Sequence, residues 1–127
     1  MRKSVLAASA LTAVLALPAA AAGTTGPFAG QVSQGRSNVH LFDNNPSNNA
    51  CIQLATSYTI SLTYAPASDV LTVSALGKTA TGSGGSATLS VQSGWCTEFP
   101  ITVTGTSVAS SATYVLTVTR GSAIAGN

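Results

Sequence analysis

Between positions 51 and 64 the chain alternates with a period of two. Ile52, Leu54, Thr56, Tyr58, Ile60, Leu62 and Tyr64 stand on one parity, and Cys51, Gln53, Ala55, Ser57, Thr59, Ser61 and Thr63 on the other. Only an extended strand sends successive side chains to opposite faces, so the run predicts a strand with one face on a core and the other in water. Strands of about 5–6 residues are usual, and a run this long calls for a bend or bulge, expected near residues 55–57. The rule recurs in five further segments. Residues 38–42 alternate around Val39 and Leu41, and 70–76 around Leu71 and Val73. Residues 87–92 offer Ala87, Leu89 and Val91, 99–104 offer Phe99, Ile101 and Val103, and 113–119 offer Tyr114, Leu116 and Val118. Thr recurs on the opposite parity, where its branched carbon suits a strand and its hydroxyl suits water. No stretch beyond the N-terminus has apolar residues at helical spacing.

The separators carry turn chemistry. Residues 43–49 (DNNPSNN) read as a loop, and 65–69 and 81–86 as shorter connections, the latter suited to a hairpin. Six or seven strands joined this way predict an all-β, two-layer antiparallel β-sandwich. Its domain is expected over 37–121, between a loose N-terminal segment at 23–36 and a C-terminal tail at 122–127.

Residues 1–22 read as a signal peptide. Arg2 and Lys3 form a basic start, 5–17 is an uncharged run too short to span a bilayer, Pro18 ends it, and Ala20, Ala21 and Ala22 suit a signal peptidase acting before Gly23. Export places the processed chain outside the cytoplasm, extracellular or at the cell surface, with the periplasm as the alternative. Cys51 and Cys96 are the only cysteines, and an even count in an exported domain predicts that they form one bridge.

The formal net charge of the full chain is +2. Arg2 and Lys3 leave with the signal, and Arg36, Lys78 and Arg120 then face Asp43, Asp69 and Glu98, three against three, for a net of zero. A neutral chain has no electrostatic footprint for nucleic acid or anionic lipid, so neither a nucleic-acid partner nor membrane insertion of the processed chain is expected. Charged residues make up 6% of the chain, against about 25% in an ordinary globular protein. The surface is therefore Ser, Thr, Asn, Gln and Gly, which repels copies of itself only weakly.

The strand pattern resembles bacterial immunoglobulin-like sandwiches. More narrowly, the endings Tyr58-Thr59-Ile60-Ser61-Leu62 and Tyr114-Val115-Leu116-Thr117-Val118 resemble closing strands of prepeptidase C-terminal-type domains. That resemblance implies a non-catalytic sandwich of the kind appended to secreted bacterial enzymes. Trp95 directly precedes Cys96, and Gly94 stands where antibody-type domains carry a tyrosine, so the likeness lies in the sandwich and not in antibody-type detail.

Groups for catalysis are scarce. His40 is the only histidine and has opposite parity to Val39 and Leu41, which reads as a solvated outer-face residue; one imidazole cannot build a copper or zinc site. Asp43, Asp69 and Glu98 are separated along the chain, and Gly82-Ser83-Gly84 is a turn and not a nucleophile elbow. No catalytic residue and no cofactor is expected. Asp43, Asn45, Ser47 and Asn49 have the every-second-residue spacing of oxygen ligands opening a calcium loop. Asn48 replaces the expected Gly and Leu54 the bidentate Glu, so plain turn chemistry is preferred over a metal site. Tyr58, Tyr64, Tyr114 and Phe99 share parity with core residues. Trp95, with Gln92 or Glu98 nearby, is the candidate ligand contact, since sugar-binding sandwiches stack aromatic faces on rings.

The sequence thus points to an exported non-catalytic structural or interaction module of the bacterial surface or extracellular space. Its partners would be other surface proteins or copies of itself. The alternative is a secreted carbohydrate-binding module for cell-wall polysaccharide.

Overall fold

Val, Ile, Leu and aromatic residues alternating with Ser and Thr fit a pleated surface wetted on one side, and each such run becomes a strand. The computed structural model describes residues 23–45 and 54–123. They contain eight strands: β1 (Phe28–Val32), β2 (Ser37–Asp43), β3 (Ala55–Ala65), β4 (Val70–Ala75), β5 (Lys78–Thr81), β6 (Ser86–Gly94), β7 (Glu98–Ser107) and β8 (Ala112–Ala123). One sheet has the order β1-β8-β3-β6 and the other β2-β7-β4-β5, with every pairing antiparallel. Tyr58, Ile60, Leu62, Leu71, Val73, Ile101, Val103 and Leu116 meet between the sheets, each essentially inaccessible to solvent. At about 25 cal/mol per Å² of apolar surface removed from water, this layer is what holds the sheets face to face. The all-β, two-layer antiparallel sandwich is as expected, with eight strands among the described residues where six or seven were expected.

The irregularity expected near residues 55–57 is present. Along β3 the pairing with β8 moves from Thr56↔Ala123 to Tyr58↔Arg120, so β8 carries the extra residue. A second irregularity lies where Val70 pairs with Ser107 and Leu71 with Gly105.

Four expectations are corrected. The first is the facing of β2. Val39 is 64% exposed, whereas Phe42 is 2% exposed and packs against Tyr58 and Phe99 at ring-centroid distances of 5.5 and 5.2 Å. A strand can bury one parity only, and the phenyl ring removes more apolar area from water than Val39 could. Phe42 therefore sets the facing, and His40 turns inward with it.

Second, the segment 23–36 is not loose. Phe28–Val32 pairs with β8, Val32 is buried, and Thr24 makes a parallel bridge to Phe42. Third, β8 runs on to Ala123, into the expected tail. Fourth, residues 81–86 do not close a hairpin. They carry the chain from β5 in one sheet to β6 in the other. The tight hairpin is β4–β5, through Leu76 (φ 51°) and Gly77 (φ 79°), the positive-φ pair of a two-residue turn. The proposed signal peptide at 1–22 lies outside the described residues, as do Ser47, Asn49 and Cys51.

The long sides of the sandwich differ. On one, residues 23–32 cross from β2 to β8. Thr24 N donates to Leu41 O at 3.2 Å, and Asp43 N donates to Thr24 O at 2.8 Å, before β1 adds to β8. This side is closed by the N-terminal arm. On the other, β5 and β6 are the outermost strands of their sheets among the described residues.

Candidate functional site

Trp95 stands at one end of the sandwich, between β6 and β7. Its backbone is well held: Trp95 N donates to Leu54 O at 2.6 Å, Tyr58 Oη donates toward Gly94 O (2.7 Å) and Trp95 O (3.0 Å), and Asn44 Nδ2 donates to Trp95 O. The bulge in β8 brings Arg120 to the level of Tyr58, and its guanidinium lies 3.6 Å from the centre of the Trp95 ring. This is a cation–π contact, and it occupies one face of the indole. Burial pushes the Tyr58 phenol above its ordinary value, opposed by the positive Arg120 and by the Asn44 hydrogen bond.

Gln92 and Glu98, the two alternatives expected beside Trp95, lie on different faces of the sandwich. Gln92 is exposed on the outer face of the β1-β8-β3-β6 sheet, and Glu98 on the outer face of the other. Of the calcium candidates, Asp43 Oδ1 accepts from Asn45 N at 2.8 Å, a side-chain turn. Among the described residues no three of His, Cys, Asp and Glu gather as metal ligands would, and no helix is long and apolar enough to cross a membrane. Among them too, no cysteine is free; Cys96 lies at the Trp95 end, and because Cys51 is outside them its pairing stays an expectation.

His40 is on the closed side, not on an outer face. Its Nε2 is 2.6 Å from Tyr114 Oη, and its ring is 5.1 Å from Phe28 and 5.7 Å from Tyr114, centroid to centroid. Asn38 Nδ2 donates to the same hydroxyl oxygen at 3.0 Å and to Gln31 O at 2.8 Å. With its oxygen accepting from Asn38, Tyr114 has its proton for a neutral imidazole. Burial pushes His40 below its ordinary 6.5 and Tyr114 above its ordinary value, the latter opposed by Asn38. The arrangement ties β1 and β2 to β8. It acts as a structural latch.

The open side presents backbone. Trp95 N bonds Leu54 O, and Tyr64 N bonds Gly85 O. These contacts flank the pairs Ala55↔Gly94 and Thr63↔Ser86 and mark both as pairs that exchange no ladder bonds of their own. Antiparallel alternation then turns the N–H and C=O groups of Thr88, Ser90 and Gln92 away from β3, toward the free edge of β6. Beside this edge lies a cleft of about 350 Å³ lined by Ser57, Leu76, Lys78, Ser90, Val91 and Gln92. Leu76 there is 46% exposed. Alternation of apolar residues identified β6 as a strand but could not show which strand would be left outermost.

The signature of the cadherin-like beta-sandwich domain matches residues 36–121. The chain belongs to this family. The match supports the broad immunoglobulin-like expectation and not the narrower prepeptidase C-terminal one. No curated protein and no solved structure matches the chain. Within the cadherin-like sandwich fall β2 to β7 and all of β8 as far as Gly121. The arm that closes one side, residues 23–32, falls outside the matched span.

Proposed function

We propose that this cadherin-like sandwich is an exported, non-catalytic structural or interaction module, working at the cell surface or in the extracellular space. One observation carries the reading: the family's sandwich is closed by its own N-terminal arm on one side and offers an uncharged strand edge on the other. Edge backbone groups recruit an extended strand by main-chain hydrogen bonds, a mode that needs no catalytic group and no metal. The N-terminal pattern of residues 1–22 supports export. Cell fractionation, with mass determination of the recovered protein, tests the proposal. The expected result is a chain beginning at Gly23 in the medium or on the envelope. An intact leader on a cytoplasmic protein refutes it.

Carbohydrate binding stands second. Arg120 already covers one face of Trp95, so stacking on a sugar would use the remaining face or displace the guanidinium. Trp95 is the sole tryptophan, and its fluorescence against a panel of cell-wall glycans reads that function directly.

A further inference from the structure

We propose that the free edge of β6 is a self-association site, where a second copy of the chain pairs β6 to β6, antiparallel, about a two-fold axis through Ser90. The inference rests on the interaction-module reading above and names the partner. β6 has nine residues, Ser86–Gly94, and Ser90 is its midpoint. Pairing about that residue overlaps the whole strand and sets Thr88 opposite Gln92 on both sides of the axis. The outward groups of Thr88, Ser90 and Gln92 would close about six hydrogen bonds between the copies. The result is one continuous sheet across the dimer, with both sandwiches on the same layer plan.

The other edges are less suited. The edge of β2 is partly occupied by Thr24, through Leu41 O and Asp43 N. β1 has five residues. β5 has four and carries Lys78, a residue that blunts edges. β6 has no charge and no proline in its sequence, SATLSVQSG. The processed chain is itself neutral, so no long-range repulsion keeps copies apart. These properties favour a second copy over a charged partner.

Leu76 supplies an independent observation. It holds a positive φ in the β4–β5 turn, a conformation that bulky residues rarely adopt and that Asn or Gly adopts readily. It is also 46% exposed and lines the cleft beside Ser90 and Gln92. With 46% of its surface in solvent, this leucine keeps apolar area available for a contact outside the domain. Against a second copy it supplies apolar contact on each side of the axis. Lys78 lines the same cleft, and pairing brings two such lysines toward each other, so added salt strengthens the association by screening them.

The test is sedimentation equilibrium on the purified protein, in the form in which cells process it, with thermal melting of each variant. The wild type is expected to be a dimer whose population rises with concentration and with salt. Ser90→Pro removes an N–H that faces away from β3, leaving the internal ladder whole; it should weaken dimerisation by about tenfold or more. Ser90→Lys, which keeps the N–H and places like charges across the axis, should do the same. Leu76→Asn should weaken the dimer without lowering the melting temperature of the monomer, read at concentrations too low for pairing, a combination that a purely structural leucine would not give. A wild type that stays monomeric to about 1 mM overturns the inference, as do variants that dimerise as well as wild type. A monomer that binds another protein through this edge also overturns it. Fractionation decides export separately: an exported, surface-retained monomer refutes this inference and leaves the proposed function standing.

Discussion

Replacing Tyr114 by Phe deletes one oxygen from the closed side of the sandwich and leaves the ring in place. Tyr114 is 1% exposed, and its hydroxyl serves His40 Nε2 at 2.6 Å and Asn38 Nδ2 at 3.0 Å. Asn38 keeps its bond to Gln31 O, and His40 is half-buried, so water can take up part of what the partners lose. Two side-chain hydrogen bonds with partial replacement put the cost at about 1–2 kcal/mol. For a domain of this size that lowers the melting temperature by about 4–15 °C. A second signature follows from His40, whose single imidazole gives an unambiguous NMR titration. Burial holds its folded pKa below 6.5. The unfolded chain therefore binds the proton first as pH falls, and the fold loses stability below pH 6.5 while keeping it above. The Phe variant keeps the ring, and with it the burial that lowers His40, so its titration stays below 6.5. A stability change under about 0.3 kcal/mol would refute the latch, and a wild-type His40 titrating at or above 6.5 would refute its burial.

Non-reduced mass spectrometry should find the processed chain two hydrogens lighter than its dithiol form, and replacing Cys96 by Ser should cost about 2–5 kcal/mol; readily alkylated thiols in native protein would count against the bridge. Arg120→Ala should uncover one face of Trp95, shift its emission to the red, cost about 0.5–1 kcal/mol, and let the Tyr58 phenol titrate higher because an opposing positive charge is gone; an unchanged emission spectrum would contradict the stacking. At Gly105 a Cβ would fall on the backbone oxygen of Ser33, so Gly105→Ala should lower the urea midpoint by the equivalent of about 1–3 kcal/mol, and a neutral result would mean that the 33–36 connection can move aside.

Alternation located β3, β4, β6, β7 and β8 because each has at least two apolar residues on one parity facing polar neighbours. It failed on β2, where both parities carry apolar side chains and the decision falls to Phe42, whose partners Tyr58 and Phe99 are far along the chain. It missed β1 because the Phe28, Gly30, Val32 parity has a glycine at its centre. That glycine has a packing reason: a Cβ there would lie 2.7 Å from Tyr114 Oη. β5 offered only Ala80 among polar residues. At the Trp95 end, the tryptophan was conspicuous in the sequence, whereas Arg120 arrives through a bulge and a pairing with Tyr58 that no local pattern encodes. The free edge of β6 is a property of strand order, and strand order is decided by contacts between distant segments.

Among the described residues, β1 has β8, the last strand, as its only ladder partner: Phe28 meets Leu116 and Val32 meets Ala112. A chain emerging N-terminus first, from a ribosome or across a membrane, therefore has no template for residues 28–32 until residues 112–116 have appeared. β8 is also the strand that joins β1 to β3, so the sheet is broken in its middle until then. The closure of so wide a sequence gap makes folding a late event. The closed side is therefore the last part of this sheet that can form.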